Sequence, residues 1–369
     1  MIRKTKIVAT IGPKSSTKKV LTNMISRGVN VCRLNFSHLT HDKAREIIGN
    51  IKEINQELHV HTAILADLQG PKIRVGELKS PLRLIKGKEV VFSTNKKYKN
   101  AIFINYKNLA KDAQVGNRIL LDDGKISLKV IKTNKKDKIT TTVIFGGILN
   151  SKKGVNLPDT KINLPSISIK DKKDLEFILN EKIEWIGLSF VRKAEDIQQL
   201  KKAIKKSKKS NALVIAKIEK PEAITNIDQI IKVTDAVMVA RGDLGVEVPP
   251  HKVPVYQKMI VNKCIAQSKP VVIATQMLES MTKNISATRA EVNDVANSVI
   301  DGADALMLSG ETSIGKHPAK VVDTMRKIIR DVESSEHNIS KQNNTKEPSK
   351  KERFLSSAIC SSACKIAEE

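Results

Sequence analysis

The sequence predicts a (β/α)8 barrel of the TIM type carrying an inserted all-β segment. Three observations predict it. Short β-branched apolar runs alternate with amphipathic stretches in both the first and the last parts of the chain, the rhythm of parallel strands joined by crossover helices. Eight such runs occur, which favours a closed barrel over an open sheet. Between Gly70-Pro71 and Leu164-Pro165 the rhythm changes to short alternating segments separated by turn residues, which reads as a small inserted β-barrel.

In chain order, Lys6 to Gly12 (K-I-V-A-T-I-G) reads as the first strand, followed by a helix from Thr17 to Arg27 that stops at Gly28. Val29 to Phe36 is the second strand, Ser37-His38 opens a helix running to about Leu58, and Thr62 to Gln69 is the third strand. The insertion shows candidate strands at Glu89 to Thr94, Ala101 to Ile104, Arg118 to Leu121, Ile126 to Ile131 and Ile139 to Ile144. Strands four to eight are Trp185 to Phe190, Leu213 to Glu219, Asp235 to Ala240, Pro270 to Thr275 and Ala305 to Ser309. Helices are expected at about Lys172 to Lys182, Ala194 to Lys208, Pro221 to Val233, Val253 to Gln267, Thr288 to Asp301 and Pro318 to Val332. The domain boundaries that follow are 1–70 with 168–337 for the barrel and 71–167 for the insertion. A polar linker is expected at 338–352. One amphipathic helix follows at 353–369, with Leu355, Ile359, Ala363 and Ile366 on a shared apolar face that calls for a further domain or another chain.

No secretory signal or long apolar run is present, so a soluble, cytoplasmic protein with no membrane span is expected. Cys32, Cys264, Cys360 and Cys364 lack metal-type spacing and read as reduced packing residues. The net charge of +26 raises the possibility of a nucleic-acid partner. Against it, the lysines are scattered through every segment and aromatic residues for base stacking are only 3% of the chain, so specific nucleic-acid binding is not expected. The same excess favours anionic, phosphorylated ligands.

Chemistry gathers at the C-terminal ends of the strands. Leu213 to Glu219 (L-V-I-A-K-I-E) begins apolar and ends charged, as a buried parallel strand does where it opens onto solvent. A period of two puts Leu213, Ile215, Lys217 and Glu219 on one face. Asp243 follows the next strand, between Gly242 and Gly245. If these strands are neighbours, Glu219 and Asp243 converge with Lys217 one step deeper. Crowded carboxylates resist ionising unless a cation joins them, and magnesium suits such a pair because its remaining positions take water and substrate oxygens. The pattern also fits a strand-end ion pair between Lys217 and Glu219 with an ordinary turn at 242–245. Polar residues at the other strand ends, namely Arg33, Asn35, Asp67, Thr275, Ser309 and Glu311, favour a site, because such barrels build theirs at that rim.

Over nearly its whole length the chain resembles the pyruvate kinase family. The resemblance lies at T-K-I-V-A-T-I-G-P, R-L-N-F-S-H, D-L-Q-G-P-K-I-R, K-G-V-N-L-P, A-K-I-E, M-V-A-R-G-D-L-G-V-E, A-T-Q-M-L-E-S-M and D-V-A-N-S-V-I-D-G-A-D-A-L-M-L-S-G-E-T, in family order. It implies a glycolytic phosphotransferase that moves the phosphoryl group of phosphoenolpyruvate to ADP, giving pyruvate and ATP, with magnesium or manganese as cofactor. It implies Glu219 and Asp243 as divalent-metal ligands, Lys217 as the ammonium that stabilises the phosphoryl group in flight, and Arg33 as a phosphate contact. Gly242 would offer backbone N–H to the substrate carboxylate, and Thr275 would lie near the enolate carbon. Arg74 and Lys153, on either side of the insertion, would contact nucleotide phosphates, with the insertion acting as a lid. Ser309 and Glu311 would support proton delivery or serve structure alone.

The family's monovalent-cation site would fall on Asn35, Ser37, Asp67 and the carbonyl of Leu68. Lys72 stands where potassium-dependent members carry glutamate, which predicts activity without potassium. Leu39 replaces a usual glycine, without a functional reading. The resemblance also implies roughly a hundred further residues in a C-terminal domain, of which only the first helix is found here. Effector control is then expected to be lost. The case for a tetramer weakens, leaving a homodimer through the barrel. The competing expectation is a catalytically impaired remnant that still binds phosphorylated ligands.

Overall fold

The computed structural model describes residues 3–98, 100–162, 164–335 and 362–363. The predicted linker at 338–352 lies outside the described residues, as does the predicted helix at 353–369 apart from Ser362 and Ala363, which are helical. Eight parallel strands close into a barrel: β1 (Lys6–Ile11), β2 (Val31–Asn35), β3 (Ala63–Asp67), β4 (Trp185–Leu188), β5 (Leu213–Ile218), β6 (Ala236–Ala240), β7 (Val271–Ala274) and β8 (Ala305–Leu308). Each pairs with the next in sequence, and β8 returns to β1 with Lys6 opposite Ala305.

Alternation along the strands sorts side chains into two cores. One set faces the helices and packs with them into the large outer core, which includes Ile7, Leu34, Ile64, Ile186, Val214 and Val237. The other faces the barrel axis, where Val8, Leu65, Ile215, Met238, Val272 and Met307 form an apolar plug. One pleat further toward the C-terminal ends, the inward positions turn polar at Thr10, Arg33, Asp67 and Lys217, so the rim is built directly on a dry, packed floor.

Local chemistry fixes the helices. Thr40 caps the helix His41–Glu57 by accepting the Lys43 N–H, and reciprocal Ser168–Asp171 and Thr288–Glu291 capping boxes start Ile169–Asn180 and Arg289–Ile300. The single helix expected from Pro221 to Val233 is two, Pro221–Thr225 and Ile227–Val233, broken at Asn226, whose side-chain amide donates to the Arg192 carbonyl at 2.9 Å. β4 and β7 stop short of their expected ends at Phe190 and Thr275 because those residues adopt left-handed backbone, φ +54° and +72°, which no parallel ladder accommodates.

The insertion differs from expectation in its sheet. Among the described residues it forms a six-stranded sheet, in the order Val155–Asn156, Arg118–Leu121, Ile126–Thr133, Lys138–Phe145, Glu89–Ser93, Ile102–Phe103, and a separate two-stranded sheet of Gly147–Leu149 with Leu82–Leu84, not one closed barrel. The chain leaves the larger sheet at Gly146-Gly147 to pair antiparallel with 82–84. Register shifts at Ser127/Leu128 and Val130/Lys132 add local twist to the central pair. The insertion has its own apolar core, including Phe92, Ile104, Tyr106, Leu128 and Val143. Its entry and exit are zipped together: Val75 N–H donates to Lys153 O at 2.9 Å and Val155 N–H to Ile73 O at 3.0 Å. Asp171 also accepts the Gly70 N–H at 3.2 Å, which ties the entry to the helix that follows the exit.

No helix among the described residues is long and apolar enough to cross a membrane. Cys32 and Cys264 are free, fully buried in the outer core, and burial pushes both thiols up to about 12. Neither therefore presents thiolate at neutral pH. Alkylation mapped by mass spectrometry is expected to leave both unmodified in the native protein and to label both in denaturant; native labelling of either would contradict this burial.

Candidate active site

The polar rim converges on Lys217. Its Nζ lies 2.9 Å from Glu219 Oε1 and 3.1 Å from Asp67 Oδ1, and it donates to Ser189 Oγ at 2.7 Å. Ser189 in turn donates to the Leu68 carbonyl at 2.7 Å. Asp67 reaches across because Gly187 faces it from β4, where even a Cβ would sit 3.2 Å from Asp67 Oδ1. The other oxygen of Asp67 accepts from Arg33, Nε at 2.7 Å and a terminal guanidinium nitrogen at 2.6 Å, and Arg33 also donates to Thr10 Oγ1 at 2.9 Å. The ion pair allowed by the sequence between Lys217 and Glu219 thus exists, but within a buried cluster that also holds Asp67 and Arg33.

The electrostatics follow from burial and neighbours. Burial pulls the Lys217 ammonium down, yet Asp67 and Glu219 outweigh it and raise its pKa above the ordinary lysine value, so it stays charged. Burial pushes Asp67 up, and Lys217 and Arg33 more than reverse that, holding the carboxyl below the usual range. Glu219 is raised: burial dominates, and Asp243 and Asp67 add repulsion that Lys217 only partly offsets. A buried carboxylate next to Asp243 whose charge is incompletely compensated fits a divalent cation, which would neutralise the pair. Among the described residues no group of three or more His, Cys, Asp or Glu could hold a metal, so such an ion would depend on these two carboxylates and on oxygens from water and substrate.

Asp243 does not sit in an ordinary turn; it lies in the first turn of a short helix, Arg241–Glu247, directly after β6. Arg241 anchors that helix by a bidentate pair with Asp294, both contacts 2.7 Å, and by donating to the Thr275 carbonyl at 2.8 Å. Gly242 N–H donates to Thr275 Oγ1 at 2.7 Å, an approach so close that a Cβ at 242 would lie 3.2 Å from that oxygen. Thr275 is β-branched and left-handed, a strain of about 1–3 kcal/mol that the surrounding contacts impose. Its hydroxyl is thereby brought to the first turn of the Asp243 helix, where it donates to Ala274 O at 2.6 Å.

The other predicted positions divide. Asn35 Oδ1 accepts the Ser37 N–H at 3.0 Å, and with Asp67 committed to Arg33 and Lys217 and the Leu68 carbonyl to Ser189, the oxygens of three of the four predicted monovalent-cation residues, Asn35, Asp67 and Leu68, have internal partners. Lys72 lines a cleft between barrel and insertion with Asp243, Asp123, Phe190, Arg192 and Lys220. Arg74 and Lys153 meet on the zipped linkers beside this cleft: Arg74 donates to Lys152 O at 3.0 Å and Lys153 pairs with Asp122 at 2.7 Å. Burial lowers the His38 pKa, and Lys72, Arg74, Lys170 and Arg33 lower it further, so these cations share one field at the rim. Glu311 is fully buried and accepts the N–H groups of Leu278 and Ser309 at 3.1 and 2.7 Å, while Ser309 Oγ is buried without a partner among the described residues.

Ser189, Thr10 and the Phe190 N–H, which donates to Glu219 Oε2 at 2.7 Å, escaped the sequence reading. Ser189 carried a usable signal, because period two from Trp185 through Gly187 aims it at the barrel axis. The Phe190 contact carried none, since it depends on a left-handed residue after β4.

The comparisons agree with the barrel fold. The family model described as pyruvate kinase, barrel domain, matches residues 2–322. A pyruvate kinase of Staphylococcus epidermidis is 43% identical over 339 residues, 91% of this chain and 58% of the relative. One from Geobacillus stearothermophilus is 44% identical over 356 residues, 94% of this chain and 60% of the relative. One from Staphylococcus aureus is 44% identical over 339 residues, 91% of this chain and 58% of the relative. The chain thus spans about three fifths of the length of these curated relatives. On the match of its barrel and of these sequences, the chain belongs to the pyruvate kinase family.

Proposed function

We propose that the chain transfers the phosphoryl group of phosphoenolpyruvate to ADP, giving ATP and pyruvate, and that it uses a magnesium or manganese ion held by Glu219 and Asp243. The observation that carries this reading is the buried, charged Lys217 set between Asp67 and Glu219 at the barrel rim, beside Arg33. Phosphoryl transfer requires charge and position more than covalent chemistry from the protein. The divalent ion, when bound, supplies positive charge to the phosphoryl oxygens and a template for the substrate.

The chain's own residues do the rest. Lys217 and Arg33 hold the phosphoryl group and balance charge on its oxygens while the P–O bond to the enolate oxygen breaks and a bond to the terminal ADP oxygen forms. The backbone N–H at Gly242, which donates to Thr275 Oγ1 at 2.7 Å in the free site, exchanges that partner for the substrate carboxylate. Thr275 Oγ1 relays a proton, receiving one from water as it passes its own to the enolate carbon, which becomes the methyl carbon of pyruvate. Arg74 and Lys153 receive nucleotide phosphates, with residues 71–167 closing as a lid over a barrel of residues 1–70 and 168–337 and excluding water. The separate apolar core of the insertion and its single zipped pair of linkers support that division. A cytoplasmic setting and a homodimer through the barrel accompany this reading.

ATP formation from ADP, phosphoenolpyruvate and magnesium, proportional to added protein, tests it. Phosphoenolpyruvate bound without ATP formed would favour the impaired, binding-only remnant. Lys72 brings an ammonium to the cleft that Asp243 also lines, so turnover is expected in potassium-free buffer. Lys72→Glu is expected to make turnover depend on added potassium by about tenfold, the scale of one uncompensated charge near the site. Equal rates of Lys72→Glu with and without potassium would refute this role.

A further inference from the structure

Glu247 closes the short helix that begins at Arg241, and its carboxylate has no part in the chemistry above. It is 4% exposed, and Oε1 accepts from both Lys220 Nζ at 2.6 Å and Asn156 Nδ2 at 2.7 Å. Its Oε2 is buried without a partner among the described residues. Each partner adjoins a residue of the site. Lys220 directly follows Glu219 and lies over the Phe190 ring, 6.0 Å from its centroid, while the Phe190 N–H holds Glu219 at 2.7 Å. Asn156 belongs to the insertion, in the strand Val155–Asn156 that follows the Lys153 linker. Glu247 itself shares one seven-residue helix with Gly242 and Asp243. One buried carboxylate oxygen therefore joins three segments: the one carrying Glu219, the one carrying Asp243, and the one carrying Lys153.

We propose that Glu247 is a positioning residue that registers the insertion against the two metal-ligand segments, so that the nucleotide-phosphate side and the metal side of the site are set by a common anchor. The inference rests on the proposed function, since it concerns the placement of those same ligands. A neutral side chain cannot do the same, because the Lys220 ammonium is itself nearly buried and requires a charged partner. Asn156 reads the position of the insertion through a charge-assisted hydrogen bond, whose loss corresponds to roughly tenfold or more in affinity.

The test uses the full chain and three readouts: the KM for ADP against kcat, the magnesium concentration for half-maximal phosphoenolpyruvate binding by calorimetry, and thermal unfolding. Asn156→Ala is expected to raise the ADP KM about tenfold with kcat within about twofold and an unchanged magnesium requirement, because only the link to the insertion is lost. Glu247→Ala is expected to raise the ADP KM and the magnesium requirement together, since the Asn156 and Lys220 arms are both lost. Adding Asn156→Ala to Glu247→Ala is expected to raise the ADP KM no further, the non-additivity of one shared contact. Asn156→Ala leaves the Lys220–Glu247 pair intact and so remains a test if Glu247→Ala does not fold. Parent values of the ADP KM in folded Asn156→Ala would overturn the inference, as would additive effects in the double variant. A parent that binds no phosphoenolpyruvate with magnesium would overturn the proposed function, and this inference with it.

Discussion

Lys217→Met is expected to lower turnover by on the order of 10³-fold or more, because one preorganised charge aimed at a transferring phosphoryl group has that scale of effect. Methionine keeps much of the buried stem and removes only the ammonium, whose surroundings are fixed: Asp67, Glu219 and Ser189 all lie within 3.1 Å. The carboxylates raise its pKa, so the parent keeps this charge throughout the neutral and mildly alkaline range. A purely structural ion pair makes a different forecast. Its loss would reduce the folded fraction but leave the kcat of the remaining folded protein near the parent value. Turnover normalised to folded protein separates the two, and a kcat within tenfold of the parent would remove Lys217 from the chemistry.

Asp67→Asn has the largest expected effect on stability, about 3–5 kcal/mol, the cost of removing one partner from a buried ion cluster. Asp67 is 1% exposed and accepts from both Arg33 and Lys217, so the neutral amide leaves two buried cations facing each other. The pH dependence has a defined sign. A carboxyl held below its ordinary value contributes stability that is fully present above the unfolded pKa, about 4, and is lost as pH falls through the lower folded value. Glu219 works in the opposite sense: its raised value means that the metal-free protein loses stability as pH rises through it. The contribution of Asp67 is therefore read as the difference between parent and variant. Urea unfolding at pH 7 should show the full gap, and the gap should narrow on acidification below pH 4. Equal midpoints at pH 7 would contradict the cluster.

Much of this was legible in the sequence because strand alternation is a strong constraint. Period two along L-V-I-A-K-I-E placed Ile215 in the axial plug and Lys217 above it, where the fold has them. The neighbouring strand sets Lys217 opposite Met238 in the β5–β6 register, and Asp243 beyond its end is near enough to repel Glu219. What failed depends on backbone geometry that residue type does not encode. Gly242-Asp243-Leu244-Gly245 looks like a turn, but Arg241, anchored on Asp294, winds it into a helix. Thr275 reads as a strand residue by its branching, yet the site holds it in left-handed backbone. The insertion was expected to close because its short alternating segments are separated by turn residues, as in a small barrel. It divides into two sheets at Gly146-Gly147, a point where alternation says only that pairing ends. Glu247 carried no signal in the sequence, because its links to Lys220 and Asn156 come from segments 27 and 91 residues away.

The proposed phosphoryl transfer from phosphoenolpyruvate to ADP at the Lys217 cluster is tested most directly by pyruvate formation by the full 369-residue chain from phosphoenolpyruvate and ADP, with magnesium and without potassium. Pyruvate and ATP released in equal amounts, in proportion to protein and dependent on magnesium, is the predicted result. A folded chain that binds phosphoenolpyruvate with magnesium yet releases no pyruvate, with or without potassium, would contradict it.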